Sequence, residues 1–163
     1  LILKGADRKY PDNPYPNVGY MGHIDGIIRN NVIHVEPKWK RWYDTGIELA
    51  QAHGAKVYHN TIAAQSTFSS IDYRFPNTKA DIRNNLVWRI TKRNSAQGSL
   101  SHNLQKTPLS IFVDAAKVNY RLKASSSQAI DKGTPVKEAG IDIDKNPRTL
   151  GGKPDLGAFE YKK

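Results

Sequence analysis

The sequence predicts an all-β fold, a parallel β-helix (β-solenoid), and three observations predict it. Short β-rich segments recur along the chain: Gly26–Ile33, Gly46–Ile62, Ser70–Val87 and a weaker copy at Gly98–Leu104. Aligned on Asn31, Asn60, Asn85 and Asn103, with spacings of 29, 25 and 18 residues, they share columns. Three residues before the asparagine stand Ile28, Val57, Ile82 and Leu100, all aliphatic; one before stand Asn30, His59, Asn84 and His102; one after stand Val32, Thr61, Leu86 and Leu104. A repeat of this size marks a solenoid, and short bent β segments make it a β-helix, in which like residues stack about 4.8 Å apart. Stacked asparagines can then pass amide hydrogen bonds from coil to coil and satisfy a buried turn.

Taken in order, Leu1–Gly5 reads as the middle of a strand belonging to an earlier coil, so the chain is expected to be a fragment or a processed product. Ala6–Val18 is expected to be a loop: its run Tyr10-Pro11-Asp12-Asn13-Pro14-Tyr15-Pro16 lacks the donors a ladder needs. Val18–Met21 and Gly26–Ile33 form the first copy. His34–Asp44 is an excursion dense in charge and aromatics. Gly46–Ile62 then gives two strands with a bend at His53-Gly54, and Ser70–Val87 two more across a Pro-Asn bend. Ile90–Gln97 reads as a polar turn. From about Thr107 the repeat stops and Gly, Ser, Asp and Pro dominate. This stretch, 107–163, is expected to cap the coils of 1–106 within one domain, since an open strand edge recruits other chains.

The bulk numbers narrow the partners. With 163 residues the chain can build one real core. No run approaches a membrane span. Lacking cysteine, it has neither disulfides nor thiolate metal sites. A net charge of +10, from 25 Lys and Arg against 15 Asp and Glu, favours polyanions. No zinc-finger spacing, RNA-recognition motif or basic helix points to nucleic acid.

Four segments carry a resemblance: Phe112-Val113-Asp114, Asn119-Tyr120-Arg121-Leu122, Ala129-Ile130-Asp131-Lys132-Gly133 and Pro154-Asp155-Leu156-Gly157-Ala158-Phe159-Glu160. In this order and spacing they resemble the ending of secreted bacterial proteins of the pectate-lyase-like superfamily. Asn119 replaces the usual Asp, and Ser127-Gln128 stands where Ser-Pro is common. The resemblance runs from about Gly22 onward. It implies a right-handed parallel β-helix with an irregular C-terminal cap, in a secreted, periplasmic or cell-surface protein. It also implies a function on acidic polysaccharides, by binding or by cleavage. As an enzyme the chain would be a polysaccharide lyase acting by β-elimination, or a glycoside hydrolase. The alternative is a non-catalytic structural or adhesive fragment of a larger surface protein, self-associating through its open N-terminal coil.

The resemblance places the site on the first strand of each coil and the adjoining turns. Period-two alternation sends Ile47, Leu49, Ile71 and Tyr73 inward and Glu48, Asp72 and Arg74 outward, with Glu48 and Asp72 adjacent one coil apart. Such a carboxylate pair suits a hard cation, Ca²⁺, which in lyases of the superfamily neutralises the uronate while a Lys, Arg, His or Tyr takes the proton. Arg74, Lys38 and Lys40 are the candidate bases, with His23 and Arg41 behind them. The competing reading makes Glu48, Asp72 and Arg74 solvated cross-strand pairs. Trp39, Trp42 and Tyr43 suit stacking on sugar rings, beside Lys38, Lys40 and Arg41 for carboxylates or sulfates. Equally, Trp39 and Trp42 would pin the excursion down. His53, His59 and His102 read as structural and Asp25 as a turn residue. Asp142, Asp144 and Asp155 read as turn acceptors, with Asp142-Ile143-Asp144 a minor cation candidate.

Overall fold

The computed structural model describes residues 2–4 and 23–162. Its strands are β1 (Ile2–Lys4), β2 (His23–Ile24), β3 (Ile27–Arg29), β4 (Val32–His34), β5 (Thr45–Ala50), β6 (Ala52–Tyr58) and β7 (Thr61–Ala63), followed by β8 (Ser69–Arg74), β9 (Lys79–Arg83), β10 (Ile90–Arg93), β11 (Gln97–Ser101), β12 (Phe112–Asp114) and β13 (Asn119–Leu122). The fold is all-β with short 3₁₀ turns. One parallel sheet runs β1-β5-β8-β10, a second β11-β9-β6-β2 with β3 also on β6, and a third pairs β4 with β7. Parallel bridges extend the third sheet to Leu86 and Leu104. The chain therefore visits first, second and third sheet in rotation, and each pass lies on the one before.

The register reproduces the sequence columns. Ile28 opposes Val57, Val57 opposes Ile82, and Ile82 opposes Leu100. Each ladder asparagine donates from Nδ2 to the next Oδ1: Asn31 to Asn60 at 2.9 Å, Asn60 to Asn85 at 3.0 Å, Asn85 to Asn103 at 2.8 Å. The backbone N–H groups of Asn31, Asn60 and Asn85 bond the same acceptors. The preceding column, Asn30, His59, Asn84 and His102, has φ between 52° and 59° throughout. A left-handed residue there turns the chain sharply from second to third sheet, and asparagine tolerates that conformation better than most side chains. Alternation also holds on the first sheet, where Ile47, Leu49 and Ile71 are fully buried and Tyr73 nearly so.

Two expectations need correction. The bend between β5 and β6 lies at Gln51, with φ of 54°, whereas His53-Gly54 is a bulge inside β6. Ile90–Gln97 is not all turn: Ile90–Arg93 pairs with β8, because Thr91 lies beside Asp72 and Arg93 can reach its carboxylate. The segment after Thr107 packs along the third sheet as a flank. Its apolar residues Phe112, Tyr120, Leu156 and Phe159 pack on Ala63 and Leu86 of the third sheet, while β11 in the last pass keeps four of five residues exposed. The third sheet is thus buried on both faces, Ile62 in one cluster and Ala63 in the other, which is why β7 carries no polar-out alternation. The expected loop Ala6–Val18 and first strand Val18–Met21 lie outside the described residues.

The flank is fastened to the polar column. Asn30 Nδ2 donates to the carbonyls of Ala139 and Ile141, His59 Nδ1 lies 3.1 Å from the Asp155 carbonyl, and Asn84 exchanges two hydrogen bonds with Thr134. Ala158 N–H donates to Thr61 Oγ1 and Gly157 N–H to the Asn84 carbonyl. Gly157 has φ of 88°, and a Cβ there would lie 2.6 Å from both Leu86 Cδ1 and Thr61 Oγ1. Gly157→Ala is therefore expected to cost about 3 kcal/mol from strain and overpacking, read as a lower urea midpoint.

Candidate functional site

On the outer face of the first sheet the register sets Glu48 beside Asp72 and Asp72 beside Thr91, as the alternation expects. Arg74 hydrogen-bonds Glu48. Arg93 grips Asp72 through Nε at 3.0 Å and Nη2 at 2.5 Å, a bidentate pairing. Asp72 is nevertheless wholly buried: the outward direction read from the sequence is right, but the side chain is covered. Arg93 was not singled out by the sequence, because its strand reads as a turn. The hydrogen bond to Asp72, more than any other influence, holds the Arg93 guanidinium above its usual value. Arg89 and Arg93 flank Phe68, 5.3 and 5.1 Å from its ring centre.

Ca²⁺ takes roughly six to eight oxygen ligands; Arg74 bonds one oxygen of Glu48, and Arg93 spans both oxygens of Asp72. Among the described residues no group of three or more His, Asp or Glu could hold a metal. Neither carboxylate is left with both oxygens open to an ion.

The excursion forms a 3₁₀ turn, Pro37–Trp42, with proline supplying the first helical φ. It projects Trp39 and Trp42 into solvent, 58% and 71% exposed, so neither pins it down. Lys38 Nζ lies 5.6 Å from the Trp39 ring centre and the Arg41 guanidinium 4.9 Å from that of Trp42. Lys38 also pairs with Glu36 at 3.0 Å. Tyr43 does the anchoring instead. It packs against the cluster of Ile47, Ile62 and Ile71, its hydroxyl is buried without a hydrogen-bond partner, and burial pushes its ionisation well above the usual phenol range. It is removed from the expected sugar-stacking set. His23 also stands apart: it lies on β2 in the second sheet, opposite Ala52, with Nε2 buried.

A groove of about 770 Å³ separates the 3₁₀ turn from the flank. Lys38 and Lys40 line it, with Glu36, Gln65, His34 and Tyr120. His34 Nδ1 lies 2.5 Å from the Tyr120 hydroxyl. The sequence reading missed this pair, since 86 residues separate its members. The one available signal was alternation in β4, which turns His34 to the same side as Val32, toward the flank. Among the described residues no helix is long and apolar enough to cross a membrane. No family model matches the chain, and neither the curated proteins nor the solved structures yield a match.

Proposed function

We propose that the chain is a right-handed parallel β-helix of the pectate-lyase-like kind that binds acidic polysaccharide outside the cell. The rotation through three parallel sheets and the asparagine ladder support the architecture, and parallel crossovers of this type are overwhelmingly right-handed. One observation carries the function: two exposed tryptophans, each beside a cation, on the turn leading into the first sheet. Indole faces stack on sugar rings, while Lys38, Lys40 and Arg41 answer carboxylates or sulfates.

Binding is favoured over cleavage because the expected base Arg74 and its neighbour Arg93 are both tied to carboxylates. Titration calorimetry with polygalacturonate, alginate and a neutral glucan tests the reading. Acidic polymers should bind and weaken with salt, and Trp39→Ala and Trp42→Ala should each lose about tenfold in affinity. Both side chains face solvent, so the variants should unfold like the parent. Equal binding to the neutral glucan, or no saturable binding, refutes it. An ultraviolet-absorbing unsaturated product would instead assign β-elimination.

A further inference from the structure

The groove beside the 3₁₀ turn has a different chemistry from the tryptophan strip. Val35 and Pro37 form one wall, Leu109, Ala116 and Val118 the other. Leu109 and Val118 remain 42% and 51% exposed. Charge is confined to a few positions. Glu36 is matched by Lys38, whereas Lys40 has no carboxylate within ion-pair reach among the described residues, and the floor offers the polar pair His34 and Tyr120. An apolar slot with unbalanced positive charge complements an apolar body bearing one negative charge.

Val118 adds a second observation. It closes the 3₁₀ turn Ala115–Lys117 with φ of 59° and ψ of 24°. Glycine or asparagine normally takes that position, and a β-branched residue there is a rare and strained choice. The strained residue lines the groove with about half of its surface left exposed, the kind of local cost found at ligand contacts.

We propose that this groove binds a small amphipathic carboxylate, an aromatic ring or acyl chain lying between Pro37 and Val118 with its carboxylate on Lys40. The site shares Lys40 with the polysaccharide reading, but the test of that reading rests on Trp39 and Trp42, so either can fail without the other. Calorimetry of the whole chain with 3-phenylpropanoate and, below its micelle concentration, laurate distinguishes the two apolar bodies. The alcohol 3-phenylpropanol and the dodecyltrimethylammonium cation serve as controls.

At least one anionic probe should bind once per chain, and Lys40→Met should weaken it roughly five- to tenfold. Val118→Asn should weaken the probe severalfold while raising the apo Tm by about 2–4 °C, since asparagine relieves the left-handed strain. That opposite movement of affinity and stability would not follow from a merely structural residue. Saturable binding of neither anion, equal binding of the alcohol or the cation, or affinity unchanged in both variants would overturn the proposal.

Discussion

Asn60→Ala is expected to destabilise the fold by about 4 kcal/mol, from the loss of several buried hydrogen bonds at once. Asn60 is fully buried. Its Nδ2 donates to the carbonyls of Ile28 and Tyr58 as well as to Asn85, and its Oδ1 accepts both the backbone N–H and the side chain of Asn31. Removing the amide leaves those partners without water to replace it, and each stranded group costs roughly 1–3 kcal/mol. Asn60→Asp separates shape from donor capacity: it keeps the outline, loses the donor and buries a charge, so it should be no milder. Asn103→Ala, at the partly buried end of the ladder, should cost about half as much. Urea unfolding of the three variants checks the order. Equal, small losses at all positions would show that the ladder is incidental.

The second large effect lies in the flank. Arg148 and Glu160 form a pair 6% and 1% exposed, 2.9 Å apart. Arg148 also bonds Asn30 Oδ1 and the Gly157 carbonyl, while Glu160 accepts from the Asp155 N–H. Arg148→Met leaves a buried carboxylate alone and should cost roughly 3–5 kcal/mol, much of it recovered by adding Glu160→Leu.

The same cluster makes stability depend on pH in two opposing ways. Burial pushes Glu160 up from 4.5 to about 7, and Asp155 moves in the same direction. Burial, with Arg148 nearby, pushes His59 down from 6.5 to about 3. A raised carboxyl stabilises the fold fully below pH 4.5 and loses that contribution as pH climbs to about 7. A depressed imidazole stabilises it above pH 6.5 and loses that contribution as pH falls toward 3. Between pH 4.5 and 6.5 the slopes of Glu160 and His59 oppose each other, with Asp155 acting in the direction of Glu160. The parent should therefore have a shallower slope there than a variant lacking His59, whereas Glu160→Gln should shift the slope toward rising stability with pH by up to about 1.4 kcal/mol per unit. His59→Asn should shift it the opposite way. Urea midpoints across that window would expose a wrong assignment if either variant kept the parent's slope.

Much of the core was legible because a stacked fold repeats its demands. The aliphatic column at Ile28, Val57, Ile82 and Leu100 and the amide column at Asn31, Asn60, Asn85 and Asn103 recur in the sequence because each pass rests on a copy of the last. The left-handed column is visible as composition, but Asn30 and Asn84 alone do not announce its conformation. What stayed hidden depends on partners distant in sequence. Alternation shows that Asp72 points outward but not that Arg93 spans it. Ile90–Arg93 reads as polar because it lies in the last pass on its sheet, with strand partners on one side only. The exposed tryptophans and the partly buried Tyr43 come from one charged, aromatic run, and nothing local says which ring turns inward. His34 finds Tyr120 only after the flank has docked.

The ladders between passes also have a mechanical meaning. In all three sheets the backbone bonds join one circuit of the chain to the next, and the asparagine amides run the same way. Force applied across the stack would be shared by every bond of a circuit at once, so rupture should come in whole-circuit steps. Force applied to the chain end would peel the same bonds singly. Sheets joined this way should resist load along one direction and yield to it along another.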